Sequence, residues 1–159
     1  MRARPFARPI AAILLLAGAA ASTGASADEA VVVDLKPSKS CKAKTAAPAD
    51  PGEVAFNPAA FDGKCVSLDG YWRDLAIYPT RAEANQPDAR SMSFLDRRRI
   101  GLYLRDRDEV RAPASTTPAS LIGVVGNCAR FHAKGVQITG YCHYKAGAYM
   151  VVSSVTLNP

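Results

Sequence analysis

With 159 residues and a formal net charge of +6, the chain has room for one domain with its own core and little room for a second. A basic excess of this size invites a nucleic-acid or anionic-lipid partner, a reading that the first residues weaken. No glycine-rich phosphate loop follows a strand, and no local nucleophile signature surrounds any Ser or Cys, so the sequence assigns no catalytic residue and no cofactor.

The first 27 residues have the three parts of a secretory signal in order. Arg2, Arg4 and Arg8 form a basic start, residues 10–21 an apolar run, and Ala25, Ser26 and Ala27 an A-x-A cleavage site. The run ends at Ser22 and Thr23, short of the roughly 20 apolar residues that a spanning helix requires. The expectation is a periplasmic or secreted protein with no membrane span after cleavage near Ala27. Cleavage removes three arginines and no acidic residue, so the excess drops to about half and the case for a nucleic-acid partner weakens with it.

Residues 28–55 are rich in Ala, Lys, Ser and Pro and lack aromatic residues, which predicts a flexible extension. The valines at 31–33 are its one apolar run, suited to adding to a sheet edge. The domain is expected over residues 56–159. Asn57 followed by Pro58 is a helix start, with Asn as cap and Pro in the first turn. Val66 and Leu68 alternate with Ser67 and Asp69, as in a half-buried strand, and Gly70 marks a bulge or bend. Residues 75–78 form a second strand, stopped by Pro79. Residues 80–93 read as a loop that holds at most one helical turn at 81–86.

Ile100, Leu102 and Leu104 form the apolar face of a third strand. Residues 112–120, with Pro113 and Pro118, read as a connection. Residues 121–125, 136–144 and 148–157 have strong strand character, with Gly135 and residues 145–147 at the turns. The fold class predicted is mainly β: a small antiparallel barrel of about five or six strands with short helical turns. This layout resembles an OB-fold over residues 56–157. The features that carry the likeness are the short helix feeding F-D-G-K-C-V-S-L-D-G, the segment I-G-L-Y-L, and two later glycine-containing strands.

All four cysteines follow the signal, which suits an oxidising compartment. If residues 128–144 form a hairpin about Gly135, Cys128 faces Cys142. Opposed Cα atoms in a strand pair lie about 4.5–5.5 Å apart, within the roughly 4.4–6.8 Å that a disulfide accepts. That pairing leaves Cys41 for Cys65. The competing Cys2His2 metal set of Cys128, His132, Cys142 and His143 lacks zinc spacing, and neighbours such as Cys142 and His143 point to opposite faces of a strand; no metal site is assigned.

Candidate binding residues are Trp72, Tyr103, Arg105, Tyr141 and His143. Arg97, Arg98, Arg99, Arg105, Arg107 and Arg111 surround Tyr103, although Asp96, Asp106, Asp108 and Glu109 offset much of that charge. The OB resemblance implies an oligonucleotide or oligosaccharide face on the second and third barrel strands. The functional expectation is a non-catalytic exported module that recognises a protein or an envelope polymer through an aromatic and basic strand face. Two alternatives stand beside it. One is a small secreted hydrolase such as a metal-dependent nuclease using Asp69, Asp74, Asp106 and Asp108; the other is a structural envelope protein.

Overall fold

The computed structural model of the chain describes residues 38–86, 98–104, 111–132, 140–144 and 146–158. Residues 1–27, the valines at 31–33 and Arg105 lie outside these residues. In chain order the elements are β1 (Ala47–Ala49), α1 (Pro51–Phe56), α2 (Pro58–Phe61), β2 (Cys65–Arg73), β3 (Ala76–Tyr78), α3 (Arg81–Ala84), β4 (Ile100–Tyr103), β5 (Thr117–Asn127), α4 (Ala129–His132), α5 (Tyr141–Tyr144) and β6 (Ala148–Leu157).

Five strands close on themselves in the order β2, β3, β4, β6, β5 and back to β2. Closure comes from the length of β2, which pairs with β5 from Cys65 to Trp72 while Tyr71 to Arg73 also pair with β3. One side of β2 thus serves β5 and the C-terminal part of the other side serves β3, which closes the barrel without a free edge between them. Gly70 lies where β2 curls over β3: a Cβ there would sit 2.7 Å from the Tyr78 carbonyl oxygen. The register with β5 runs through Gly70 unbroken, so the glycine permits a bend and inserts no extra residue.

The result is an OB-like barrel, mixed rather than wholly antiparallel. β4 and β6 run parallel, Ile100 opposite Ala148 through Tyr103 opposite Val151, and β1 pairs, also parallel, with Val66 to Leu68 on the side of β2 that further along carries β3. A parallel pair cannot be joined by a tight hairpin, so the chain between β4 and β6 makes its long excursion through β5.

Inward residues alternate as the period-two pattern predicts: Val66, Leu68 and Trp72 from β2, Ile100 and Leu102 from β4, Ala119, Leu121 and Val125 from β5, and Met150 and Val152 from β6. Fully burying each large member contributes about 1.5–3 kcal/mol. α1 touches β2, β3, β4 and β6 and inserts Val54 and Ala55, both fully buried, into the same core. The stretch that composition marks as a flexible extension therefore carries β1 and a helix that plugs the barrel. Its start is encoded locally: the Asp50 side chain accepts a hydrogen bond from Glu53 N at 2.9 Å and Pro51 opens the first turn.

Two further expectations change. β5 starts at Thr117, inside the proline-rich stretch, because Pro118 stands near the strand start, where a missing donor is tolerated. The described part of residues 136–144 is not a strand; it is the turn at Gly140 and helix α5.

Candidate functional site

The outward residues of β4 and β6 are Gly101, Tyr103, Tyr149 and Val151. They do not face solvent as an open platform. Helices α4 and α5, between β5 and β6 in the chain, pack across them and form a second apolar cluster outside the barrel with Tyr78, Cys128, Tyr141, Cys142, Tyr149 and Val151 buried in it.

A disulfide between Cys128 and Cys142, Cα atoms 5.2 Å apart, staples this cover at its two ends. The pairing is the one the sequence points to, but the geometry differs. Cys128 closes the end of β5 and Cys142 lies in α5, so the bridge joins a turn to a helix and not two strands of a hairpin. The second bridge, Cys41 to Cys65, fastens the approach to β1 onto the start of β2, with Cα atoms 5.4 Å apart.

Close approach of the cover depends on Gly101. The Tyr141 ring lies directly over it, and a Cβ would fall 2.0 Å from ring carbons. The Tyr141 hydroxyl accepts a hydrogen bond from Arg99 Nε at 3.1 Å, and the Arg99 side chain is itself buried. Tyr103 holds the other side of α5, its hydroxyl accepting from the Cys142 backbone N–H at 2.9 Å. Its ring meets that of Tyr149 edge to face at 5.5 Å, and Phe131 of α4 packs on Tyr149 at 5.6 Å. Outside this row Arg130 reaches both carboxylate oxygens of Asp62 at 3.1 and 3.2 Å, tying α4 to the turn after α2.

Burial pushes the phenols of Tyr103 and Tyr149 above their ordinary value of 10.0. For Tyr103 the Cys142 amide opposes that shift and Tyr149 adds to it; for Tyr149, Arg130 opposes and Asp62 adds. Because the folded values lie above those of the unfolded chain, the neutral phenols favour the fold. Their contribution is complete below about pH 10 and is lost as pH rises through the folded values. Urea midpoints measured across this range should fall as tyrosinate absorbance rises; a midpoint that stays flat while both phenols ionise would contradict the packing described.

Where the cover ends, a cleft of about 230 Å³ opens beside Tyr103. Leu75, Leu102 and Leu104 give it apolar walls, Tyr103 and Tyr141 bound it on the cover side, and Arg111 stands at its rim. Leu75 is placed by the β2–β3 turn, in which Asp74 has a φ of 51° and the Leu75 carbonyl accepts a hydrogen bond from Leu102 N at 2.8 Å. That bond ties the turn to β4, and the Leu75 side chain remains 51 % exposed.

The candidate residues divide accordingly. Trp72 is a correction: its side chain is fully buried in the barrel, with Nε1 donating to the Asp74 carbonyl at 2.9 Å, and it is not available to a ligand. Tyr103 bounds the cleft, Tyr141 is buried in the cover with one side toward the cleft, and His143 is exposed on α5. The basic cluster is split, since Arg98 and Arg111 are exposed whereas Arg99 lies beneath Tyr141. The sulfurs of Cys128 and Cys142 are consumed by their bridge and cannot serve as thiolate ligands. Asp69 accepts a hydrogen bond from Ser120, and Asp74 lies in the β2–β3 turn beside Arg73; Asp106 and Asp108 fall outside the described residues.

Sequence reasoning missed Leu75, Leu104 and Arg111 as cleft residues. Leu75 left a readable trace, an aliphatic residue at a turn after Asp74, but the mutual placement of the three depends on barrel closure. No protein-family model, no curated protein and no solved structure matches the chain.

Proposed function

We propose that the chain is a non-catalytic exported binding module that recognises a protein or an envelope polymer at the cleft between the β2–β3 turn and the stapled cover. The observation that carries this reading is an apolar recess whose walls are held in advance by a disulfide, by the Tyr103 hydrogen bond and by the Arg99–Tyr141 contact. A recess fixed before the ligand arrives loses little freedom on binding, so even a small contact area can yield useful affinity. The signal-like residues 1–27 and two formed disulfides support export. Among the described residues no helix is long and apolar enough to cross a membrane.

The test is capture from envelope extract by immobilised, disulfide-intact protein. Leu75→Asp should abolish capture, because it places a charge in the apolar recess. Leu157→Asp is the matched control: Leu157 has the same 51 % exposure and does not line the cleft, so capture should persist. Equal capture by both variants would remove the cleft from the account. Cleavage of nucleic acid by the purified protein with divalent metal would replace the reading with the nuclease alternative.

A further inference from the structure

We infer that the occupant of the cleft is a segment of a partner protein that presents a leucine or phenylalanine side chain beside an aspartate or glutamate. The inference rests on the binding-module reading and narrows it to one class of ligand.

Size is the first argument. A volume of about 230 Å³ lies below the roughly 300–1,000 Å³ of sites that enclose a small molecule, and suits the seat of one anchoring side chain. Protein interfaces concentrate their energy in such anchors, large side chains that fill a desolvated pocket.

Chemistry is the second. Leu75, Leu102 and Leu104 offer dispersion contacts and no polar handle. The two tyrosyl hydroxyls nearby already accept hydrogen bonds, Tyr103 from Cys142 N and Tyr141 from Arg99 Nε. Among the described residues a sugar would find little besides the tyrosyl O–H groups and Arg111 to replace its water; an aliphatic or aromatic side chain needs none. Half-exposed Leu75 extends the apolar surface past the rim, as an interface does around its anchor.

Charge is the third. Arg111 is exposed and is the one charged residue among the described residues lining the cleft. Its complement is a single carboxylate next to the anchor. A nucleic-acid strand gains its affinity by meeting several phosphates with several cations, and the described lining offers one arginine beside three leucines.

The experiment uses the exported, disulfide-intact chain and short capped peptides, with amide chemical shifts as the readout. The probes are a leucine flanked by aspartate, a leucine flanked by lysine, and an alanine flanked by aspartate. The first should shift the amides of Leu75, Leu102, Leu104 and Ala112 and saturate at millimolar concentration. The second should bind several-fold more weakly, and the third should not saturate. Arg111→Glu should reverse the preference between aspartate and lysine. Leucine peptides that leave those amides unmoved, or that bind equally with either flank, would overturn the inference. If glycan fragments move the cleft amides and peptides do not, the binding-module reading stands and this one falls. If Leu75→Asp leaves capture intact, both fall.

Discussion

Trp72→Ala should cost about 3–5 kcal/mol of stability, as truncations of fully buried aromatic residues do. The ring is the largest side chain wholly enclosed in the barrel, and it packs where β2 leaves β5 and turns toward β3. Truncation opens a cavity that neighbouring strands cannot fill, since each is fixed by ladders on both sides. It also removes the donor that meets the Asp74 carbonyl, loosening the turn that presents Leu75. Small domains are stable by roughly 5–15 kcal/mol, so the variant should unfold at much lower urea, and the protein that stays folded should capture ligand more weakly by a smaller factor, through the loosened turn. An unchanged midpoint together with lost capture would restore Trp72 to the binding surface.

Replacing Cys128 and Cys142 together by alanine should produce the second large effect. Their bridge spans 14 residues, and opening a loop of that size costs about 3 kcal/mol on a chain-entropy estimate. Alanine is the right substitute because both positions are fully buried, where serine would add an unsatisfied hydroxyl. Loss of the staple should also let α5 leave the outer face of β4, so that Tyr103 and Tyr149 become wetter and titrate nearer their ordinary value. Alanines at Cys41 and Cys65 should lower stability and leave those two titrations where they are, because that bridge is far along the chain from the cover and joins β2 instead. Tyrosine titrations unmoved by the Cys128 and Cys142 pair of changes would mean that the hydrogen bonds of Tyr103 and Tyr141 hold the cover without help.

Much of the barrel is legible in the sequence because its strands are half-buried and obey a period of two. Val66, Leu68 and Trp72 share one parity, which already turns Trp72 inward despite the aromatic character that suggests a ligand contact. The rule that finds the helix at Asn57 and Pro58 applies equally to Asp50 and Pro51. There the surrounding alanines, prolines and lysines conceal a helix whose value lies in two small buried residues, Val54 and Ala55. The disulfides were legible as pairs and not as shapes. Alternating Tyr, Cys, His and Tyr at 141–144 resembles a strand, but a backbone at Gly140 with φ of 90° and packing of Tyr141 on Gly101 convert it to a helical turn. Such packing is tertiary information, and local preference yields to it. The cleft was illegible for the same reason, since Leu75, Leu104 and Arg111 meet only once β4 is paired on both sides.

Photo-crosslinking from position 75 in the disulfide-intact protein tests the binding-module account most directly. A photoreactive aromatic residue in place of Leu75 should give one discrete adduct in envelope material, and the same residue in place of Leu157 should give none. Adducts of equal yield from both positions, or none from position 75, would contradict it.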